Sequence, residues 1–258
     1  MLERLDAAWR VVATGLCFAV FGLAGLVLGG VGLPLVLVVV REPRRRTRVA
    51  RVLIHHFFRF FIELMRVLGV LSYELHGIER LRQGGLLVLA NHPTLVDVIF
   101  VISLIPQAGC VVKAELARNP FTRSSVRAAG YITNDSGMAM VDDCRAGLEA
   151  GETLVIFPEG TRTPLDGKLQ LRRGAANVAI RCHRPVTPVS IRCVPRGLAK
   201  QQRWYQVPPR RMHFTIRVHA DLQVDPFLAG GTAEPLAVRQ LNAHLTAFFQ
   251  QESGRAAS

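Results

Sequence analysis

The feature that most constrains this chain is a run of thirty residues, 11–40, that contains no charged side chain. As one α-helix this run would be about 45 Å long, whereas the hydrocarbon core of a bilayer is about 30 Å thick. Three glycines and Pro34 interrupt it near its end. We therefore predict a membrane segment over residues 1–47, either one tilted and kinked helix or a hairpin of two helices.

Arginine is concentrated directly after this run, at positions 41, 44, 45, 46 and 48. Such a flank stays on the cytoplasmic side of a membrane, so the remainder of the chain is predicted to lie on the cytoplasmic face. The formal net charge of the chain is +13. This charge predicts an acidic partner, which could be an anionic membrane surface, an acidic carrier protein or nucleic acid. No nucleic-acid recognition module is visible, so we expect no nucleic acid as partner.

Residues 48–67 have the pattern of an amphipathic helix. Polar side chains recur every three or four residues, at Arg48, Arg51, His55, Arg59, Glu63 and Arg66. Aliphatic and aromatic side chains cover the rest of the helix. Because this helix directly follows the membrane segment, we predict that it lies in the lipid interface with its basic face toward the head groups. A helix packed on a soluble core is the alternative.

Beyond residue 85, short apolar runs alternate with helical patterns. Predicted strands are residues 86–90, 110–113, 131–133, 153–157, 186–194 and 212–218, and predicted helices are residues 94–103, 138–150, 174–181 and 236–249. This alternation predicts an α/β fold with a largely parallel central sheet flanked by helices, so residues 48–258 are taken as the interfacial helix plus one α/β domain. Residues 195–211 form the longest candidate surface loop. The five cysteines show no disulfide or metal-site spacing and are predicted to be buried thiols.

Two short motifs follow predicted strands directly. Residues 91–97 read Asn-His-Pro-Thr-Leu-Val-Asp, and residues 157–162 read Phe-Pro-Glu-Gly-Thr-Arg. The first places the His92 imidazole within reach of the Asp97 carboxylate, which suits a general base and the group that orients it. The second supplies a guanidinium fork at Arg162 that can hold two phosphate oxygens. In a parallel sheet both motifs lie at the carboxyl ends of the strands, where ligands bind.

These motifs resemble the first and third motifs of the glycerolipid acyltransferase family, whose lysophosphatidate acyltransferases read His-x-x-x-x-Asp and then Phe-Pro-Glu-Gly-Thr-Arg. Residues 185–189, Pro-Val-Thr-Pro-Val, resemble its fourth motif. The resemblance implies that His92 and Asp97 are catalytic. It also implies that the acceptor is bound by Glu159, Gly160, Thr161 and Arg162. Glu159 could contact the acceptor or hold Arg162, and Lys113, Arg172 and Arg173 are further basic candidates near the site.

The resemblance further implies a membrane-bound O-acyltransferase of phospholipid biosynthesis. Such an enzyme moves a fatty acyl group from a thioester, acyl-CoA or acyl-carrier protein, to a lysophospholipid such as 1-acylglycerol 3-phosphate. No cofactor and no metal are expected. The sequence has no Gly-x-Ser-x-Gly elbow and no cysteine close in sequence to His92, so direct transfer is favoured over a covalent acyl-enzyme.

One position departs from the family pattern. Lysophosphatidate acyltransferases commonly have a second motif that ends in Arg, and this chain has Ser136 there. The departure leaves open a different lipid acceptor. A non-catalytic basic protein that binds membranes is the alternative from another class, because it would also account for the charge and the apolar segment.

Overall fold

The computed structural model describes residues 2–135 and 137–254. Its helices are α1 (Leu2–Val27), α2 (Leu33–Val39), α3 (Pro43–Val67), α4 (Asp97–Leu104), α5 (Ala114–Arg118), α6 (Arg123–Ala128), α7 (Met138–Glu149), α8 (Gly174–Arg181), α9 (Asp225–Leu228) and α10 (Glu234–Gly254). Its strands are β1 (Leu71–His76), β2 (Leu87–Ala90), β3 (Ala108–Val112), β4 (Ile132–Thr133), β5 (Thr153–Ile156), β6 (Val186–Val194) and β7 (Met212–Val218). A π-helical stretch, Leu28–Gly32, joins α1 to α2, and Ile78–Arg82 and Ala229–Gly231 are short 3₁₀ helices.

The strands form one sheet in the order β1-β7-β6-β2-β5-β3-β4. Neighbouring strands are parallel except β6 and β7, which pair antiparallel. This arrangement confirms the predicted α/β fold with a largely parallel sheet. The central strand β2 lies between β5 and β6 and is parallel to both, so the carboxyl ends of these three strands share one edge of the sheet. The motifs at residues 91–97 and 157–162 follow β2 and β5 at this edge.

Both faces of the central strands are buried, which explains why they read as continuous apolar runs. Val88 of β2 faces the apolar cluster that includes α3 and α4. Leu87 and Leu89 face a second cluster that includes α7, α8 and α10. Because successive side chains of a strand point to opposite faces, each residue of β2 contributes to one of the two layers of helices.

The amino-terminal segment is a continuous helix from α1 through the π-helical stretch to α2. The backbone keeps right-handed helical dihedral angles at Gly32 and Leu33, so the chain does not reverse there. Of the two alternatives that the sequence left open, the hairpin is therefore wrong. Leu5–Val39 is the one helix in the described part of the chain that is long and apolar enough to cross a membrane, judged by length and composition.

This long helix packs along α3. The Phe21 ring lies 4.9 Å from that of Phe57 and 4.5 Å from that of Phe61, measured between centroids. Farther along the helix, Gly29 packs against α6, where a Cβ would lie 2.8 Å from the Ser124 hydroxyl. Large apolar side chains cover the outward face and are exposed, at Leu5, Val12, Leu16, Leu23, Leu26, Val31, Leu35 and Val38.

Helix α3 lies between this helix and the α/β domain, which corrects part of the prediction for it. Arg51 and His55 were predicted to face lipid head groups, but each is only 5% exposed. Arg51 donates to Ala129 O and to the Glu152 carboxylate, at 2.8 Å each, and His55 Nδ1 lies 3.0 Å from Ile102 O. Burial also lowers the pKa of His55. A charged residue that repeats with helical periodicity can thus belong to a buried face.

The Arg51 contacts generate a stability prediction. Arg51→Ala should lower the free energy of unfolding by about 1–3 kcal/mol, because the buried Ala129 carbonyl and Glu152 lose a charged donor. Arg48→Ala is the matched control, since Arg48 is one turn earlier on α3 and its side chain is exposed. The control should change stability by less than about 0.5 kcal/mol. Chemical unfolding in detergent, followed by circular dichroism, measures both, and equal losses would contradict the assigned burial.

Candidate active site

The His92 and Asp97 side chains form a hydrogen-bonded pair just beyond β2. His92 Nδ1 lies 2.9 Å from Asp97 Oδ2, and the Asp97 carboxylate is fully buried. Thr94 holds this carboxylate from the other side, through its backbone N–H to Oδ2 and its hydroxyl to Oδ1, at 2.6 Å each. Asp97 is the first residue of α4, so the intervening turn folds its side chain back on the imidazole. The ring is thereby fixed with Nδ1 toward Asp97.

Asn91 fixes the end of β2 from which His92 departs. Its side-chain amide donates to Ile191 O at 2.8 Å, and its side-chain oxygen accepts from Ile191 N–H at 2.7 Å. These two bonds continue the contact between β2 and β6 past Ala90, where the backbone pairing ends. The sequence analysis did not assign Asn91 a role. Its position between an apolar strand and His92 was the available signal.

Glu159 holds the backbone of His92. Its Oε1 accepts from the His92 N–H at 2.7 Å and from the Thr163 hydroxyl at 3.0 Å. The side chain is 4% exposed and does not line the cavity described below. Burial raises the pKa of this carboxyl, and the bonds from His92 and Thr163 act in the opposite direction. Glu159, the acidic residue of the motif at residues 157–162, is thus bonded to the motif at residues 91–97 and not to Arg162.

Gly160, Thr161 and Arg162 line a cavity at this edge of the sheet. Gly160 has φ of +65°, and a Cβ there would lie 3.0 Å from Arg172 Nε, so glycine suits both the backbone and the close approach. Arg162 Nη1 donates to Leu198 O at 3.1 Å and to Ala199 O at 3.0 Å. Its other N–H groups make no hydrogen bond to the described residues, so they remain available to a ligand.

The cavity has a volume of about 490 Å³ and a mixed lining. Its large apolar side chains are Val98, Val111, Val112, Leu116, Met140, Ile156 and Phe157. The basic side chains are Lys113, Arg162, Arg172 and Lys200, and His92 lies on the same lining. Arg173, which the sequence also proposed, is not among them, whereas Lys200 was missed because it lies in the predicted surface loop. The cavity therefore offers both an apolar surface and a cluster of positive charge beside the imidazole.

Cys110 also borders this cavity, although no cysteine lies close to His92 in sequence. Strand β3 brings it there, two strands away from β2. Burial raises the pKa of the Cys110 thiol to about 12. Because the thiolate is the nucleophilic form, the thiol is unreactive near neutral pH.

Arg196 joins the two motif loops and was not predicted to be functional. Its guanidinium donates to Pro93 O at 3.0 and 3.1 Å, to Pro164 O at 2.9 Å and also to Thr163 O. Burial lowers the pKa of Arg196. The prediction of a surface loop over residues 195–211 is thus wrong at its beginning, since Gly197, Leu198 and Ala199 are buried against the site.

Two further expectations concern this region. Ser136, the departure from the second family motif, lies outside the described residues. Within the described ranges, no group of three or more His, Cys, Asp or Glu side chains is placed to hold a metal ion.

A comparison with known protein families matches the part of the chain that contains this site. The family model described as Acyltransferase matches residues 72–192, which include both motif loops. Residues 72–192 thus match the acyltransferase family, which confirms the resemblance expected from the motifs at residues 91–97 and 157–162.

Curated relatives match about half of the chain. A 1-acyl-sn-glycerol-3-phosphate acyltransferase of Pseudomonas aeruginosa is 27% identical over 149 residues, which are 54% of this chain and 57% of the relative. A protein of Caenorhabditis elegans, described as a putative 1-acyl-sn-glycerol-3-phosphate acyltransferase, is 32% identical over 123 residues, 44% of this chain and 43% of the relative. The chain thus spans about half the length of the curated relatives that it matches.

The fold is similar to that of a solved structure along its whole length. The crystal structure of the 1-acyl-sn-glycerophosphate acyltransferase PlsC from Thermotoga maritima superimposes with a TM-score of 0.68. The alignment covers 99% of this chain and 100% of that one, at 18% sequence identity. The two proteins therefore share the fold of the amino-terminal helix and of the α/β domain.

The buried Glu159 carboxyl predicts a pH-dependent difference in stability. Because its pKa is raised, the folded state binds the proton more tightly than the unfolded chain. The free energy of unfolding should therefore fall as the pH rises from the unfolded-state pKa, about 4.3, through the folded-state pKa. Glu159→Gln keeps an oxygen acceptor for His92 N–H and Thr163 and cannot ionise, so it should gain stability relative to wild type across this window.

Unfolding in detergent at a series of pH values from 4 to 8 measures this difference. Glu149→Gln, which removes an exposed carboxylate from α7, is the control for the loss of one charge. A Glu159→Gln variant that loses stability relative to wild type as the pH rises would contradict the assigned effect of burial.

Proposed function

We propose that this protein transfers a fatty acyl group from a thioester to the free hydroxyl of 1-acylglycerol 3-phosphate or a closely related lysophospholipid. The His92–Asp97 pair on the lining of a cavity that has both apolar and basic side chains carries the proposal. The names of the curated relatives from Pseudomonas aeruginosa and Caenorhabditis elegans support the choice of acceptor.

His92 acts as the general base in this proposal. The Asp97 carboxylate accepts a hydrogen bond from Nδ1–H, which leaves Nε2 of the neutral imidazole as the proton acceptor. The acceptor hydroxyl loses its proton to Nε2 as its oxygen attacks the thioester carbonyl carbon. When the carbon–sulfur bond breaks, the leaving thiolate takes the proton from the imidazolium. The products are the acyl ester and the free thiol.

Transfer occurs directly between the two substrates in this mechanism. The Cys110 thiol is the nucleophilic side chain on the cavity lining that would come closest to serving as an acyl carrier, and its raised pKa argues against that role. The Asp97 carboxylate accepts hydrogen bonds from Thr94 and His92, so it orients the ring and stabilises the imidazolium.

The basic side chains of the cavity are the proposed site of the acceptor phosphate. Nη1 of Arg162 is held by the carbonyls of Leu198 and Ala199, and the three N–H groups on Nε and Nη2 make no hydrogen bond to the described residues. A guanidinium fixed in this way loses little freedom when it binds two phosphate oxygens. The backbone at Gly160 and Thr161 borders the same space and can approach the ligand closely. The apolar side chains of the lining suit an acyl chain.

The donor and the location are also proposed. Acyl-CoA and acyl-carrier protein both present the thioester on an anionic carrier, which suits a chain of net charge +13. We further propose that the outward apolar face of α1 and α2 is embedded in the membrane, with the site on the cytoplasmic face beside the arginine-rich flank. Since α3 and α6 together cover the other face of this helix, the helix would lie along the membrane surface.

The role of His92 can be tested by mutation. His92→Ala should reduce acyl transfer by about a hundredfold to ten-thousandfold, which is the usual contribution of a positioned base. Asp97→Asn should also reduce acyl transfer by at least about a hundredfold, because the tautomer of the His92 imidazole is no longer fixed. His244→Ala, an exposed histidine of α10, is the control. Activity of His92→Ala within a few-fold of the control would remove the basis of the proposed mechanism.

The role of Arg162 makes a different prediction. Arg162→Lys should lower kcat/KM for 1-acylglycerol 3-phosphate by about tenfold more than for the corresponding 1-acylglycerol, because charge is kept while the planar fork is lost. Arg173→Lys is the matched control, since Arg173 is exposed and does not line the cavity. A variant in which only the KM for the thioester rises would assign Arg162 to the donor.

A further inference from the structure

Two aromatic side chains outside the proposed catalytic machinery form an exposed patch against the amino-terminal helix. Trp204 and Tyr205 are 48% and 42% exposed, and their rings meet edge to face at 5.6 Å. The Trp204 indole lies directly on the α1 backbone, since a Cβ at Gly15 would be 3.0 Å from its Cζ3. Val12 and Leu16, which flank Gly15 on α1, are 61% and 48% exposed. The patch therefore extends the outward apolar face of α1 onto residues 200–209, here called the aromatic loop.

The aromatic loop is fixed to α1 at a second point. Arg10, which is 2% exposed, donates from Nη1 to Pro208 O at 2.7 Å and from Nη2 to Pro209 O at 2.8 Å. A buried guanidinium that is bonded to two successive carbonyls holds the end of the loop firmly. Trp204 thus keeps its place beside α1.

The aromatic loop also begins at the proposed active site. Lys200 lines the cavity, and the preceding Ala199 and Leu198 carbonyls hold Arg162. Leu198 O also accepts from Leu95 N–H at 3.0 Å, inside the turn that carries His92. A short stretch of chain therefore joins the exposed aromatic patch to the group proposed to bind phosphate.

The composition of the loop indicates which partner the patch fits. The loop contains Lys200 and Arg203, Arg210 and Arg211 follow it directly, and residues 200–211 contain no acidic residue. Trp and Tyr side chains with an apolar body and a polar edge are enriched where protein meets the head-group region of a bilayer, and basic residues are favoured there by anionic lipids. An acidic protein surface would match the charge, but it would leave the continuity with the long apolar face of α1 unexplained.

We propose that the aromatic loop is a second membrane-binding element, which inserts Trp204 and Tyr205 into the head-group region of a phospholipid bilayer beside α1. This contact places the mouth of the 490 Å³ cavity at the lipid surface, so that a lysolipid acceptor enters from the bilayer. The inference rests on the proposed function for the identity of the acceptor and for the attachment of α1.

The two tryptophans of the chain, Trp9 and Trp204, allow each element to be followed separately. Trp9 lies on α1 and is 50% exposed. Trp9→Phe leaves Trp204 as the fluorophore in the aromatic loop, and Trp204→Phe leaves Trp9 as the fluorophore on α1. Each detergent-purified full-length variant is reconstituted with vesicles of phosphatidylglycerol and phosphatidylcholine, with or without bromine on the acyl chains, and its emission is recorded.

We expect emission from Trp204 to shift to shorter wavelength in vesicles and to be quenched by the brominated lipid to an extent similar to that of Trp9. Quenching of Trp9 with no quenching of Trp204 would overturn the inference and leave the attachment of α1 standing. Absence of quenching at both tryptophans would overturn the inference together with the proposed membrane attachment.

An acyl-transfer assay distinguishes the loss of lipid contact from damage to the active site. Trp204→Glu should reduce transfer to a long-chain acceptor embedded in vesicles by about tenfold more than transfer to a short-chain acceptor dissolved as monomers, because a carboxylate opposes insertion near anionic lipid. Leu236→Glu is the matched control, since Leu236 is 47% exposed on α10, on the other side of the sheet. Equal losses of Trp204→Glu on both acceptors would show that the residue supports the site and does not contact the bilayer.

Discussion

The pairing of β2 with β5 on one side and β6 on the other is the constraint from which the arrangement of the site follows. All three strands run in the same direction, so their carboxyl ends share one edge. His92 leaves β2 there and Glu159 follows β5, which allows the Glu159 carboxylate to reach the His92 backbone at 2.7 Å. Residues more than sixty positions apart thereby become one site without long loops. The helices on both faces of the sheet shield these strands from water and hold them in register.

Two buried acidic side chains, Asp97 and Glu159, lie at this edge of the sheet. The Arg196 guanidinium donates to three backbone carbonyls nearby. Buried charges are costly unless their hydrogen bonds are made, and here Thr94, Thr163 and the backbone supply them. The polar groups thus set the shape of the two motif loops, which is the kind of positioning that a general base needs.

The fold could be predicted from the sequence largely because its strands are buried on both sides. Runs such as residues 153–157 and 186–194 correspond closely to β5 (Thr153–Ile156) and β6 (Val186–Val194). The edge strand β1 (Leu71–His76) was not predicted, although its polar and apolar side chains alternate as those of a half-buried strand do. The side of the sheet on which each helix packs could not be predicted either. For that reason Arg51 and His55 were expected to face lipid.

The site residues that lie close together in the sequence could be predicted. Those that are brought together only by tertiary contacts could not. His92 and Asp97 are five residues apart, so one turn is enough to bring them together. The roles of Arg196, Asn91 and Lys200 depend on contacts across about a hundred residues or on a loop that sequence alone marks only as irregular. Cys110 reaches the cavity through the strand order, which no local pattern contains.

The bond between Asn91 and Ile191 has a consequence for the order in which the protein matures. The two residues are separated by 100 positions, yet the strand end that aims the imidazole is held by both the carbonyl and the N–H of Ile191. During synthesis β2 emerges from the ribosome long before β6, and contacts of such sequence separation form late. A nascent chain that ends before β6 therefore lacks one of the two strands that flank β2, and the strand end that carries His92 is held only from the β5 side. We expect this strand end to reach its final position only after β6 has emerged, which is long after the amino-terminal helix has formed.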